Sequence, residues 1–338
     1  MRPDQQAAAL PDEVATDFYR GADVGRVLAD SGLGVAPLEI GTPSSPAELR
    51  RAIGSRRPLL LPGLAADWPA LVNWTPGELV RRHRDVEVTA LMNLPSEGTL
   101  FPQDQQKYEQ TLPLAKFVRT MLTTPPEAPC YLAYKRATEL FGESDYDFGS
   151  LLAELDVEPD SRAWIGSAGT RSMLHSDLKD NLFCQIWGVK HVVLIPWPDS
   201  MAAYPFPDNI VNSQLDLARP DPARYPRLRR ARIYAGLLRP GDVLYIPRGC
   251  WHDIRSCTPS VSLNHWFGEP LRLRDYLPLM ARLGPRCWQA SARDFVRSGL
   301  LGRREPTTFF FSPPSTGRRL FDAVRWGNFS RANDPTDD

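Results

Sequence analysis

Between positions 11 and 33 (PDEVATDFYRGADVGRVLADSGL) apolar residues recur at helical spacing and run out among glycines, which predicts one or two short helices. From Pro37 the texture changes. Short β-rich runs, APLEI, PLLLPG, DVEVTALMN and CYLAYKR, are punctuated by Pro and Gly, with helical stretches SPAELRRAI, TPGELVRRH and LPLAKFVRTML between them. The first two helices open on Ser45 and Thr75. Each cap is followed by proline and then by Glu48 or Glu78, the order of a capping box. Beyond Arg162 strands dominate: AWIGSAG, then NLFCQIW and VKHVVLIPW around a tight turn at Gly188, then DVLYIP, WHDIRSC and VSLNHWF. So many short strands between turn residues predict a sandwich or barrel. After Pro270 the pattern is helical again in LRDYLPLMARL and CWQASARDFVRSGL, and the tail from Gly302 is irregular, then helical. The expected organisation is a helical extension over 1–35, a β-rich domain over 36–270, and a helical segment with tail over 271–338.

A chain of 338 residues, 42% hydrophobic, can bury a sizeable core, and one large domain with attached ends suffices. Forty basic side chains balance forty acidic ones, so no net field favours nucleic acid or an anionic membrane. Binding to either needs a local patch. Only five of the basic residues are lysines, at 107, 116, 135, 179 and 190, so arginine runs carry less meaning than usual here. The five cysteines are scattered without a Cys-x-x-Cys pair, as expected of reduced thiols. With no signal-like start and no apolar run approaching 18 residues, a cytoplasmic protein is expected.

Candidate chemistry centres on three residues. His175 and Asp177 form a His-x-Asp step just before the strand NLFCQIW, where extended backbone sets residues two apart on one face. His252 follows a Pro-Gly turn and an apolar strand (RPGDVLYIPRGCWH), which a barrel can bring beside the pair. Two imidazoles and one carboxylate leave positions open on a metal, which suits iron(II) that must take up a cosubstrate and oxygen. Zinc hydrolases use the same donor types, so the triad alone leaves iron and zinc open. Lys190 stands inside the apolar strand VKHVVLIP, where an ammonium is costly unless an anion meets it. A dicarboxylate chelating the metal at one end and pairing with Lys190 at the other would meet that need.

These residues resemble the cupin-like Jumonji-C family of 2-oxoglutarate oxygenases, especially its small protein hydroxylases of the factor-inhibiting-hypoxia-inducible-factor and arginyl hydroxylase type. The resemblance covers roughly residues 36 to 268. The family's motif reads here as Ser172, His175, Asp177, Asn181, Lys190, His252 and Asn264. The resemblance implies a double-stranded β-helix (a cupin or jelly-roll barrel) with helical flanks. It further implies Fe(II) on the triad, with 2-oxoglutarate and O2 as cosubstrates. Lys190 would bind the distal carboxylate with help from Tyr131 and Ser172, and Asn181 and Asn264 would line the same pocket. Trp164 and Tyr134 are expected on the substrate side, and Tyr134 also competes with Tyr131 for the cosubstrate role. The implied reaction is oxidative decarboxylation of 2-oxoglutarate to succinate and carbon dioxide, coupled to hydroxylation of a C–H bond. A peptide or protein side chain is the first substrate class, ahead of a free amino acid, a small metabolite or a tRNA nucleoside. Methyl-lysine demethylation is chemically possible. A metal-binding cupin without turnover and a zinc hydrolase are the rival classes. Leu273, Leu277, Met280 and Trp288 on the C-terminal helices would form a homodimer interface, as in related hydroxylases, or cover the barrel.

The remaining histidines are expected outside the site, His191 and His265 as packing or surface residues and His83 in solvent near helix carbonyls. His191 and His265 alternate away from Lys190 and Asn264, and His83 sits at a helix end. Cys250 reads as a buried thiol. The stretch Arg219 to Arg239, with seven arginines, reads as a solvated insertion loop rather than an anion patch.

Overall fold

A computed structural model describes residues 18–95, 105–303, 314–327 and 329. The start of the first helical stretch and the Phe309–Phe311 part of the tail lie outside these residues. The strands are β1 (Val35–Pro37), β2 (Leu59–Leu61), β3 (Glu87–Leu91), β4 (Glu109–Pro113), β5 (Tyr131–Arg136), β6 (Asp160–Gly166) and β7 (Arg171–Ser176), followed by β8 (Asp180–Trp187), β9 (Lys190–Ile195), β10 (Ile233–Leu238), β11 (Val243–Ile246), β12 (Trp251–Ser256) and β13 (Ser260–Phe267). They build two facing sheets, one of order β1-β10-β9-β12-β7 and one of order β2-β11-β8-β13-β6-β5-β3-β4. This is a jelly-roll β-sandwich with flanking helices. Among the described residues no helix is long and apolar enough to cross a membrane.

Alternation assigns each strand two faces. On the larger sheet Leu182, Cys184, Ile186 and Leu263 turn outward and bury against helices Pro46–Gly54, Pro76–Arg82 and Leu114–Thr123. Ser45 caps the first of these, its hydroxyl accepting from Glu48 N at 3.3 Å, while the Glu48 carboxylate returns to Ser44 rather than to the cap itself. The inward face carries Asn181, Phe183, Leu244 and Ile246, opposite Val192, Leu194 and Ile254 of the smaller sheet. The outer face of the smaller sheet is covered as well. Val24 and Leu28 of the N-terminal helix Val24–Asp30 pack there with Val193, Ile195, Trp251 and Leu228.

β8 and β9 do not form the hairpin that the tight turn suggests. At Gly188 the chain leaves one sheet and enters the other, so the two strands face each other across the interior. Gly188 has φ +77°, and a Cβ there would collide with the Pro259 carbonyl. The Arg219–Arg239 stretch is likewise more ordered than a loop. It contains a 3-10 turn over Pro226–Arg230 anchored by buried Leu228, and then β10, which pairs with both β9 and β1. Arg224, Arg227, Arg229 and Arg230 remain exposed. At the C-terminal side, Met280 is buried and Leu273 packs against the same cluster, so these two belong to the core. Leu277 and Trp288 are 42% and 43% exposed.

Candidate metal centre and the pocket beside it

β7 and β12 are antiparallel neighbours, and His175 and His252 are direct cross-strand partners, with ring centroids 4.1 Å apart. His175 therefore lies inside a strand of its own rather than ahead of one, and Asp177 follows just past the end of that strand. One nitrogen of each histidine and one carboxylate oxygen of Asp177 all lie within 4.8 Å of one another. Among the described residues no other group of three such side chains converges in this way. Nε2 of His175 is 3.8 Å from Oδ1 of Asp177, and Nε2 of His252 is 3.6 Å from Oδ2.

The other ring nitrogens are occupied. Nδ1 of His175 meets the Met173 carbonyl at 2.7 Å, and Nδ1 of His252 meets the Cys250 carbonyl at 3.1 Å. A carbonyl only accepts, so each Nδ1 carries the proton and each Nε2 turns a lone pair toward the common centre. Burial, and then the second imidazole beside it, hold His252 well below the usual histidine range. The site thus turns two imidazole Nε2 atoms and a carboxyl group toward one point. The Asp177 carboxylate accepts a hydrogen bond from the indole Nε1 of Trp266 at 2.7 Å.

Ser172 reaches the same interior through an irregularity. It stands three residues before His175, and strict alternation would turn the two to opposite faces. β7 carries one extra residue against β12: His252 pairs with His175, but Ile254 pairs with Ser172. This bulge resets the phase. The Ser172 hydroxyl then hydrogen bonds the phenol of Tyr131, whose ionisation is pushed up chiefly by burial.

Lys190 opens β9 only 2% exposed. Its ammonium lies 5.3 Å from the ring centre of Phe183 and 5.9 Å from that of Tyr131. Desolvation lowers it to about 7, and no carboxylate among the described residues offsets this. Its partner on β12 is Ser256, four residues from His252 on the same face, so roughly 13 Å of strand separates the two positions. Their side chains, both turned inward, leave a gap of molecular rather than ionic size. Asn181 is fully buried with neither amide atom hydrogen bonded, and the Asn264 side-chain oxygen is buried without a partner. Orphaned polar atoms of this kind are expensive in a finished core. The unpartnered NH2 of Asn181 fits a pocket built to receive an oxygen-rich anion.

Tyr134 falls elsewhere. It sits in a bulge of β5 at φ +59°, its ring 5.8 Å from Trp164 and 5.9 Å from Trp266, with the Arg162 guanidinium 4.5 Å from its ring centre. Trp164 lies inward on β6 between Tyr131 and Tyr134. The geometry thus groups Tyr131 with Lys190, and Tyr134 with Trp164 and Trp266. His265 points outward, held by Ser161 and Asp156 at 2.7 Å each. His191 is buried on the outer face, with Nε2 3.5 Å from Asp23. Cys250 is a buried thiol, its Sγ against the Ile195 carbonyl. His83, at the end of Pro76–Arg82, is partly buried against Phe141.

Sequence reasoning named neither Phe183 nor Trp266. Each stands two residues beyond a named asparagine on the same strand, so alternation from Asn181 and Asn264 was the available signal.

A family model described as a cupin-like domain matches residues 45–272. The chain is 31% identical over 224 residues to Jumonji C domain-containing protein 5 of Drosophila melanogaster, a match covering 62% of this chain and 54% of that protein. It is 29% identical over 219 residues to lysine-specific demethylase 8 of Xenopus tropicalis, covering 63% and 48%. With HSPB1-associated protein 1 of Rattus norvegicus the identity is 26% over 268 residues, covering 71% and 54%. The chain spans about half the length of these relatives.

Proposed function

Because this chain belongs to the cupin-like family, in its Jumonji-C branch, we propose that it is an iron(II)- and 2-oxoglutarate-dependent oxygenase that hydroxylates a C–H bond of a peptide or protein side chain. Members of this family are typically oxygenases with that metal and that cosubstrate. The observation that carries the proposal is Lys190, a buried amine that meets no carboxylate among the described residues and faces the same interior as the His175, Asp177 and His252 donors. A zinc hydrolase would have no use for such a lysine. A dicarboxylate that meets it completes the charge balance of the pocket.

His175, Asp177 and His252 would hold the metal. When bound, it would supply the redox chemistry that couples cosubstrate decarboxylation to substrate oxidation. The chain's own residues supply the rest. Lys190 would pair with the distal carboxylate of 2-oxoglutarate, and Tyr131, steadied by Ser172, would donate its phenol proton to the same group. The amide NH2 of Asn181 would donate to cosubstrate oxygens, which would give it the partner it lacks in the protein, and Asn264 would line the same pocket. The apolar wall of Phe183, Val192 and Leu194 would keep water from the reacting centre. Trp164 and Tyr134 would border the substrate.

A protein substrate is supported by relatives whose names refer to lysine demethylation and to association with HSPB1. Residues 36–270 would be the catalytic unit, working in the cytoplasm, with the C-terminal helices as a candidate dimer contact. Incubation with iron(II), ascorbate and 2-oxoglutarate should release succinate, and His175→Ala and Asp177→Ala should abolish the release. Unchanged turnover in both variants would sink the proposal. A gain of one oxygen atom on a peptide, seen by mass spectrometry, supports hydroxylation. Loss of a methyl group from a methylated lysine would redirect the proposal to demethylation, and oxygen gained only on a metabolite would redirect it to a small substrate.

A further inference from the structure

The three putting-together residues of the metal centre differ in how they are held. Both histidines are locked by backbone: the carbonyls of Met173 and Cys250, each two residues earlier on the same strand, fix the rings. Asp177 has no such lock. It lies past the end of β7, and although its own carbonyl accepts from Gly249 N at 2.7 Å, this bond leaves its side chain free to rotate. Apart from the two histidines, the group that meets its carboxylate among the described residues is the indole N–H of Trp266.

We propose that Trp266 is the positioning residue of this centre, setting the rotation of the Asp177 carboxylate so that it offers a metal one oxygen rather than two. The indole N–H donates to Oδ2, which also lies 3.6 Å from Nε2 of His252, and so engages one of its lone pairs, whereas Oδ1, 3.8 Å from Nε2 of His175, accepts no hydrogen bond among the described residues and is the less encumbered donor. The consequence is a matter of coordination number. Two imidazole nitrogens and one oxygen occupy three positions, whereas a carboxylate that rolls over to present both oxygens occupies a fourth and leaves less room for a chelating cosubstrate and oxygen. Hydrogen bonds to a ligating carboxylate act in this way, through the ligand rather than on the reacting atoms.

The same ring has a second set of neighbours. Its centroid lies 5.9 Å from that of Tyr134 and 6.4 Å from that of Trp164. Trp266 is only partly buried, so part of its side chain reaches solvent. The side chain that sets the carboxylate is therefore itself set by the two aromatic rings proposed to border the substrate. A backbone lock would have been indifferent to them.

The inference rests on His175, Asp177 and His252 being metal ligands, and its test separates the two ideas. Co(II) is titrated into the whole chain by calorimetry and followed by its visible absorption, with no turnover required. Trp266→Phe keeps a ring against Trp164 and Tyr134 and removes only the N–H. It should bind Co(II) roughly 10- to 100-fold more weakly, with an altered visible spectrum. Trp266→His, which restores a ring N–H, should recover part of that affinity, and Trp288→Phe, an indole change on the exposed face of the helix Pro285–Asp294, should leave affinity and spectrum as they are. If Trp266→Phe is not recovered folded, Trp266→Leu takes its place as the variant without a donor. Wild-type affinity and spectrum in the variant without a donor, with binding lost in Asp177→Ala, overturns the role of Trp266. Undiminished binding in Asp177→Ala overturns the metal site itself.

Discussion

His175 and His252 stand opposite each other across β7 and β12, and in each the Nδ1 proton is taken by the carbonyl two residues earlier on its own strand. Two identical local locks on neighbouring strands aim both Nε2 lone pairs at one point. Because burial keeps His252 neutral, a metal need not displace a proton from it at neutral pH.

A preformed donor set of this kind binds metal in the folded chain and not in the unfolded one. Co(II) or Mn(II) at about 100 times its dissociation constant should stabilise the fold by about 2.7 kcal/mol. For a chain of 338 residues, with an unfolding entropy of about 2.1 cal/mol/K per residue, that is a rise of about 4 °C in the melting temperature. Differential scanning calorimetry with and without a chelator measures it. The rise should vanish in His252→Ala.

Lys190 makes stability depend on pH. Its folded value of about 7 lies below the ordinary lysine value, so between the two the unfolded chain binds more protons and stability contributed through this group rises with pH. Below about 7 the full cost of burying the charge is present. Lys190→Met should therefore be the more stable protein in the metal-free, anion-free state. Its advantage should shrink above pH 7 by up to about 1.4 kcal/mol per pH unit. Urea midpoints of the two proteins at pH 7, 8 and 9 give the difference directly, and a constant difference would contradict a depressed Lys190.

The same proton governs the cosubstrate. A dicarboxylate needs Lys190 charged, so above about pH 7 binding must take up a proton. Affinity of the Co(II) form for 2-oxoglutarate should fall about tenfold per pH unit there. Calorimetry in buffers of different ionisation enthalpy would show the proton uptake. Lys190→Met should bind 2-oxoglutarate far more weakly at every pH, without the slope.

Tyr131→Phe removes one hydroxyl from beside Lys190 and leaves the ring in place. A hydrogen bond to a charged group contributes about 1.5–3 kcal/mol, so the 2-oxoglutarate requirement should rise at least about tenfold. The melting temperature should change little, because Ser172, the phenol's partner, is half-buried and can turn to water. Tyr134→Phe should leave the 2-oxoglutarate requirement where it was.

Gly188→Ala tests the crossing between sheets. A left-handed φ costs a residue with a side chain about 1–2 kcal/mol, and the collision with the Pro259 carbonyl adds to it. The denaturant midpoint should drop by more than that strain alone explains. An unchanged midpoint would mean that β8 and β9 tolerate a looser connection.

The strand segments, the capped helices at Ser45 and Thr75 and the lysine out of place in an apolar strand are all legible in the amino-acid sequence. Each is a local signal: alternation with period two, a cap next to its helix, a charge among hydrophobic neighbours. The residues of the candidate site were legible for the same reason, as chemical types at recognisable positions. How they meet was not. Whether β8 and β9 pair or face each other depends on partners roughly sixty to eighty residues away, β11, β12 and β13. That Ser172 and His175 share a face depends on one unmatched residue in β7, which exists only relative to β12. The grouping of Tyr131 with Lys190, and of Tyr134 with Trp164 and Trp266, follows from a second such irregularity between β5 and β6. The sequence by itself determined which side chains are present, which segments are extended and where charge is out of place. Only the tertiary structure decided which faces those segments turn inward, because the phase of a strand is set by its hydrogen-bonded neighbour, and the neighbour is chosen by the packing of the whole barrel.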